Sequence, residues 1–411
     1  MLDVTLKPGR DRSVRRRHPW LLSGAIASVG RARSASSDDR GSPAPDDAGA
    51  WTVVRSARGE VLGHGHYSPQ STIRVRLLDF GALDPGEGLL DRRIGEAVRR
   101  RVGHPLLAGT DAVRLINAEG DGLPGLVVDR YADVVVVRAS TAGMQRRMAA
   151  IADALREATG ARAGLERADG HAARREGFEV RDAPLWGDVP DRVAIDERGR
   201  RYQVDVLRGQ KTGFYLDQRD ARDLVERLAV DRRMLDAFCY SGGFAVAAAQ
   251  GGARTITLLD SSAAALQLAQ EHLRATGRAC PVVARAGDAF EALRRAAAQG
   301  ERFDLMVLDP PPLARRKGDV PAASRAYKDM LLHGLACASE GAHVLAFSCS
   351  HHVGSEPFGQ IVAAAAVDAG RAVQIEQRFG APADHPVCVQ HPEGEYLHGL
   401  LLRVCDATPD P

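Results

Sequence analysis

Apolar and polar positions alternate with three different rhythms along the chain. From Val4 to about Asp79, short β-rich runs recur at 51–54, 61–65 and 73–77, which predicts a small β-barrel. From about Gly81 the period lengthens to that of a helix over 89–102. Two strands around the Asp121-Gly122 turn follow, with Val134 to Val137 as a third and a helix over 144–159 covering one face. After Pro190, helices at 262–274, 289–299, 322–338 and 356–369 separate strands at about 281–286, 303–308, 342–349 and 372–378. That alternation predicts a doubly wound α/β sheet. The expected division is 1–80 for the barrel, 81–190 for a small central α/β domain and 191–411 for a Rossmann-like domain. Ser34 to Ala50, poor in large apolar residues, is expected to be a mobile insertion in the barrel.

Composition narrows the class. A chain of 411 residues is long for one core, and no apolar run is long enough to span a bilayer, so a soluble, cytoplasmic protein of two or three domains is expected. The six cysteines lack metal-ligand spacing, so free thiols and no metal are the expectation. A net charge of +2 does not announce a nucleic-acid partner. Local charge does: Arg10, Arg12, Arg15, Arg16 and Arg17 precede Trp20, a combination suited to phosphate and base contact. A solvated basic face is the other reading of that run. The arginines of the 89–102 helix are expected to be such a face.

Residues 233–260 carry the strongest chemical pattern. An apolar run ends in Phe238-Cys239-Tyr240-Ser241-Gly242-Gly243, a small-residue helix follows, and a second apolar run closes on Asp260. Glycines permit close backbone approach, the helix N-terminus points its N–H groups outward, and an acid at the next strand end can accept both hydroxyl protons of a ribose. The stretch lacks the spacing of a dinucleotide site, so S-adenosylmethionine fits better than NAD. Glycines serving only close packing explain this stretch equally well when it is taken alone. Further strand ends deliver Asp288, then Asp309-Pro310-Pro311, then Ser348-Cys349-Ser350. The expected cofactor contacts are Asp236, Phe238, Tyr240, Gly242, Gly243, Asp260, Ser261, Asp288 and Ala289. Gln218 and Arg219 join them from the polar, aromatic stretch 209–219, in which Lys211 and Tyr215 are expected RNA contacts alongside Arg15, Arg16, Arg17 and Trp20.

A thiol at one strand end beside a rigid acid at another suggests carbon methylation of a pyrimidine. Cytosine carbon 5 becomes nucleophilic once Cys349 adds at carbon 6, while Asp309 holds the polar edge of the base. Two other functions compete: an exocyclic-amine RNA methyltransferase, in which Cys349 is incidental, and a non-catalytic RNA-binding assembly factor.

The succession H-P-W-L-L-S-G-A-I, D-G-L-P-G-L-V-V-D-R-Y, K-T-G-F-Y-L-D-Q-R-D-A-R, Y-S-G-G-F-A-V, D-P-P, A-Y-K-D, F-S-C-S, D-H-P-V and E-Y-L-H-G spans nearly the whole chain in order. It resembles the bacterial RlmI-type large-subunit ribosomal RNA cytosine-5 methyltransferases. The resemblance implies an N-terminal PUA domain for RNA, a small central α/β domain and a C-terminal class I S-adenosylmethionine-dependent domain. It also implies Cys349 as nucleophile, Asp309 at the target base, Asp236, Asp260 and Asp288 around the cofactor, and large-subunit ribosomal RNA as partner. The chain departs from the family pattern at Pro312, at Cys239 and in the acidic stretch 36–47. The oligomeric state stays open, with a homodimer among the options.

Overall fold

A computed structural model describes residues 1–31, 45–86, 88–179 and 181–405. The chain forms two compact units. The first comprises Met1–Ile195, Val204–Leu216 and Ala383–Gly394; the second comprises Asp196–Gln203, Asp217–Pro382 and Glu395 onward.

In the first unit, β1 (Leu2–Leu6), the short helix α1 (Arg12–Arg15), β2 (Trp20–Leu22), β3 (Ile26–Arg31), β4 (Trp51–Arg55), β5 (Val61–Tyr67) and β6 (Ile73–Asp79) build one six-stranded sheet. Its order is β2-β6-β5-β4-β1-β3, with β1 and β4 parallel and the other pairs antiparallel. Alternate residues of β1, Leu2, Val4 and Leu6, face a core shared with Leu21, Val54, Val75 and Leu77. Of the expected mobile insertion, residues 34–44 lie outside the described residues. Residues 45–50 are held: Gly49 N donates to the Tyr67 carbonyl at 2.7 Å, and Arg146 and Arg147 donate to the carbonyls of Asp46 and Gly49 at 2.7 and 2.9 Å.

The same unit continues with α2 (Leu89–Arg101), β7 (Ala112–Asn117), β8 (Leu126–Tyr131), β9 (Val134–Ala139), α3 (Ala142–Gln145), α4 (Met148–Thr159), β10 (Ala163–Glu166), α5 (Gly170–Glu176) and β11 (Ala183–Trp186). The second sheet runs β11-β10-β9-β8-β7. The valine run 134–137 is fully buried because β9 is its central strand, and both sheet faces there are covered. Ile94 and Val98 of α2, with Ile151 and Leu155 of α4, close the core against Val128, Val135 and Val137. Fully burying each such side chain contributes roughly 1.5–3 kcal/mol.

The arginines of α2 are not all a solvated face. Arg101 is 7% exposed, and its guanidinium grips both oxygens of Asp121 at 2.7 Å. Arg100 joins the same carboxylate, and Asn117 N donates to it at 2.7 Å. The Gly120-to-Gly125 turn is therefore a structural hub around a buried acid. It also receives the 383–386 segment: Arg101 donates to the Asp384 carbonyl at 2.9 Å and Asn117 Nδ2 to the Pro386 carbonyl at 3.0 Å. A Cβ on Gly120 would lie 1.9 Å from that Pro386 oxygen, so only glycine fits.

A hairpin of β12 (Arg192–Glu197) and β13 (Arg200–Asp205) comes next. There follow α6 (Arg219–Leu228), β14 (Arg233–Ala237), α7 (Gly243–Gln250), β15 (Thr255–Asp260), α8 (Ala263–Ala275), β16 (Val282–Ala286), α9 (Ala289–Ala298), β17 (Phe303–Leu308), α10 (Val320–Ala336), β18 (Ala338–Ser348), α11 (Ser355–Asp368), β19 (Ala372–Phe379) and β20 (His398–Cys405). The alternation expected from sequence is present, but the sheet is not wholly parallel. Its order is β16-β15-β14-β17-β18-β20-β19, and β20 runs antiparallel between β18 and β19. Strand order reverses between β14 and β17, and in sheets of this type the ligand crevice lies at the carboxyl ends of those strands.

Candidate active site

The loop after β14 is strained. Phe238 and Tyr240 both take left-handed backbone angles, with φ of 62° and 47°, which non-glycine residues rarely adopt. Two anchors hold them there: Phe238 N donates to the Leu259 carbonyl at 2.8 Å, and Tyr240 N to Asp260 Oδ2 at 2.9 Å. The other oxygen of Asp260 accepts from Ser262 N at 2.8 Å. Asp260 thus shapes the loop as well as standing at the strand end.

Gly242 serves the packing of the loop against α8. Its φ is 76°, and a Cβ there would meet the Ala269 Cβ of α8 at 2.8 Å, so this glycine allows close helix packing. Ser261 is exposed and Ala289 buried. Asp288 is exposed and caps α9, accepting from Glu291 N at 3.0 Å.

Asp236 is the unusual acid. It is 1% exposed, Oδ2 accepts from Ala245 N at 3.1 Å, and Oδ1 has no hydrogen-bond partner. Burial pushes its carboxyl well above the usual range; the charges of Asp309 and Asp260 add to this and the Ala245 bond opposes it. Such an atom at a strand end of the switch point calls for a donor or a cation.

At the neighbouring strand ends, Cys349 Sγ donates to the Pro310 carbonyl at 3.5 Å, which places the thiol beside the Asp309-Pro310-Pro311 turn. The serines flanking Cys349 are buried, and both hydroxyls are hydrogen-bonded within the chain. Ser350 Oγ accepts from Leu313 N and Ala314 N at 3.1 and 3.2 Å and lies 3.0 Å from the Tyr327 hydroxyl. Ser348 Oγ donates to the same hydroxyl at 3.3 Å. Tyr327, fully buried, therefore ties both sides of Cys349 together, while Ser350 fixes the chain just after the proline turn. Burial raises the Tyr327 hydroxyl pKa, so it stays a neutral donor. His351 and His352 are exposed.

The stretch 209–219 divides. Up to Leu216 it belongs to the first unit, where Lys211 Nζ lies 4.2 Å from the centre of the Tyr215 ring. In the second unit, Gln218 is 3% exposed and donates from Nε2 to Asp309 Oδ2 at 2.9 Å. Arg219 is fully buried, 3.6 Å from Glu197, in a cluster that includes Arg200 and Arg222. Tyr396 donates to Asp217 Oδ2 at 2.5 Å. Neither Tyr396 nor Tyr327 stands out in the sequence, since the signal for each is only a tyrosine in a short motif.

The N-terminal arginines also divide. Arg15 is held by Asp11 at 2.7 Å and by Glu60. Arg10, Arg12 and Arg16 instead line a groove of about 1050 Å³ in the first unit, together with His18, Trp20, Leu22, Val389 and Glu393. Trp20 donates from Nε1 to Glu119 at 2.8 Å, and its ring centre lies 4.4 Å from that of buried His391. Arg17 is exposed and is not among the groove residues.

Among the described residues no group of three or more His, Cys, Asp or Glu is placed to hold a metal ion, and no helix is long and apolar enough to cross a membrane.

The chain matches a PUA-like domain model over residues 4–80 and an S-adenosylmethionine-dependent methyltransferase model over 119–386. It is 38% identical over 407 residues to the Ribosomal RNA large subunit methyltransferase I of Klebsiella pneumoniae, covering 98% of each chain. The protein of the same name from Escherichia coli is 37% identical over 409 residues, covering 98% of this chain and 99% of that one. In fold, the chain matches a structure described as a SAM-dependent methyltransferase from Streptococcus mutans, with a TM-score of 0.81 at 21% identity, over 98% of this chain and 100% of that one. A methyltransferase structure in complex with SAH gives the same TM-score at 22% identity, with the same shares covered. S-adenosylmethionine is the cofactor, and the residues present fit it: the unpartnered Asp236 Oδ1 and the Asp260-anchored loop stand at the switch point. With matches along nearly its whole length, the chain belongs to the S-adenosylmethionine-dependent methyltransferase family that includes the ribosomal RNA large subunit methyltransferase I proteins.

Proposed function

We propose that the protein methylates carbon 5 of a cytosine in large-subunit (23S) ribosomal RNA in the cytoplasm, through a covalent bond to Cys349. The observation that carries this reading is the placement of the Cys349 thiol against the Asp309-Pro310-Pro311 turn. An amine methyltransferase has no use for a thiol there. The relatives named for ribosomal RNA support the substrate class.

When bound, S-adenosylmethionine supplies an electrophilic methyl group. Asp309 holds the polar edge of the base as Cys349 Sγ, ionised, bonds to carbon 6. The electron pair of the C5–C6 double bond then makes carbon 5 the nucleophile that takes the methyl group. Loss of the carbon 5 proton to a base re-forms the double bond and expels the thiolate. The clamp of Ser348, Tyr327 and Ser350 keeps the sulfur in place during these steps. Asp236, Asp260 and the Phe238–Gly243 loop hold the cofactor, with Ser261, Asp288 and Ala289 at its rim and Arg219 behind Gln218.

The RNA-facing surface of the first unit is the groove of Arg10, Arg12 and Arg16 around Trp20, with Lys211 and Tyr215 as further contacts. A division into a PUA domain at 1–80, a central domain at 81–190 and a methyltransferase domain at 191–411 accords with this assignment.

The test is methylation of protein-free 23S ribosomal RNA with labelled cofactor, followed by nucleoside analysis. 5-Methylcytidine is expected, and label in an exocyclic amine would overturn the proposal. Cys349→Ala should lower turnover by roughly a thousandfold or more while RNA and cofactor binding persist. RNA bearing 5-fluorocytosine at the target should trap the wild-type protein at Cys349, because fluorine cannot leave as a proton.

A further inference from the structure

Gln218 offers a carboxamide whose two ends are in different situations. A carboxylate only accepts, so the end facing Asp309 is the amino group, and it donates to Oδ2 at 2.9 Å. The other end, Oε1, is buried and has no hydrogen-bond partner. The side chain is not spent on its own helix, since Gln218 precedes α6 without making a side-chain cap. Its neighbours are fixed by separate bonds: Asp217 accepts from Tyr396, and Arg219 lies against Glu197. The backbone at 217–219 is thereby clamped, and the Gln218 side chain extends from it to the acid of the proline turn.

We propose that Gln218 is the positioning residue for Asp309, and that its Oε1 accepts an N–H from a bound ligand, so that ligand arrival and orientation of the Asp309 carboxylate are one event. This rests on the function proposed above. Two ligands carry the required N–H: S-adenosylmethionine, in its ammonium and its adenine amine, and the target cytosine, in its exocyclic amine. A donor arriving at Oε1 polarises the carboxamide, strengthens the Nε2–H bond to Asp309, and holds that carboxylate toward the base edge. The buried acceptor without a partner is the feature a purely structural glutamine would not leave.

Two variants test this, each checked for folding by thermal unfolding. Gln218→Glu keeps the length and the free acceptor but faces Asp309 with a second carboxylate. At about pH 8.5 its turnover should fall roughly a hundredfold, as for a misplaced catalytic group. As pH falls, two carboxyl groups at hydrogen-bond distance take up a shared proton, and the protonated one again donates to the other. The ratio of variant to wild-type turnover should therefore recover roughly tenfold or more by about pH 6. A ratio that stays flat with pH, or a variant as active as wild type, would refute the positioning role. Gln218→Met removes the acceptor, and with it the Nε2 donor to Asp309, without adding charge, so cofactor affinity reads the acceptor and adduct rate reads both ends. If the cofactor is the partner, the variant's S-adenosylmethionine affinity, measured by calorimetry, should weaken about tenfold. If the base amine is the partner, that affinity should stay and the rate of 5-fluorocytosine adduct formation at fixed RNA should fall instead. A variant that shows neither of these two losses would refute the acceptor role. Wild-type protein that makes no 5-methylcytidine would defeat the proposed function, whereas active wild type with indifferent Gln218 variants would defeat this inference alone.

Discussion

Glu197 and Asp236 are both buried carboxyl groups of the second unit, 0% and 1% exposed, yet they are displaced in opposite directions. Burial pushes each upward. At Glu197 the guanidinium groups of Arg222, Arg219 and Arg200 outweigh burial and bring the carboxyl below its ordinary value. At Asp236 nothing outweighs it, and neighbouring Asp309 and Asp260 add to it. The same cost of desolvation is thus offset at one acid and left standing at the other. An acid whose partners belong to the chain is part of the scaffold. One whose partner is absent from the chain marks where a ligand completes the structure.

Removing the scaffold charge should have the largest effect. Glu197→Gln leaves Arg219 and Arg222 buried without their shared counter-charge, and breaking a buried pair in this way costs about 3–5 kcal/mol. Urea unfolding should show that loss with the cofactor site otherwise intact. A loss below about 1 kcal/mol would mean that the cluster is held by packing and not by charge.

Asp236→Asn should behave in the opposite sense. The amide oxygen can still accept from Ala245 N while the unfavourable charge disappears, so the cofactor-free protein should gain stability, by roughly 1–2 kcal/mol near pH 8. Cofactor affinity should fall at least several-fold. The pH dependence separates the two acids further. Asp236, raised in the folded state, contributes stability that is full below its unfolded value of 3.8 and is lost as pH rises through its folded value. Glu197, lowered, contributes stability present above its unfolded value of 4.5 and lost as pH falls through its folded value. Asp236→Asn should therefore flatten the alkaline side of the stability profile, and Glu197→Gln the acid side. An Asp236→Asn protein no more stable than wild type at any pH would show that the carboxyl is not strained by burial.

Asp260, Asp309 and Cys349 were legible because each stands at the end of an apolar run, and Asp236 because it lies in the run that leads into the Gly242-Gly243 turn; the end of a strand in an alternating sheet is a defined place. The sequence could not announce their partners. Glu197 and Arg222 stand 25 positions apart and meet only through folding. The Ser348–Tyr327–Ser350 clamp joins two motifs whose contact no local pattern encodes. The 383–386 segment lies late in the chain yet docks on Asn117 and Arg101, a pairing set by the buried Asp121 hub. Gly242 was legible as a turn glycine, but whether its bare face meets ligand or helix depended on where α8 packs. Antiparallel β20 was hidden for a related reason, because strand direction is not written in an apolar run.

The contrast between partnered and unpartnered charge extends to the surface of the first unit, where the effects should be smallest. Arg15 stands within a run of basic residues but is committed to Asp11 and Glu60. Arg12 and Arg16 line the groove with no ion pair among the described residues. A guanidinium already facing two carboxylates releases few counterions on meeting a phosphate, whereas an uncommitted one releases close to its full share. Neutralising Arg12 and Arg16 together should therefore lower the slope of log affinity against log salt by roughly 0.7 for each single-strand phosphate they no longer neutralise. Arg15→Gln should leave the slope near that of wild type. Binding of a ribosomal RNA fragment, titrated across a salt series for each variant, reads the difference directly. If Arg15→Gln flattened the slope as much as the groove pair does, the run would act as one diffuse basic face, and pairing would not distinguish scaffold from site on this surface.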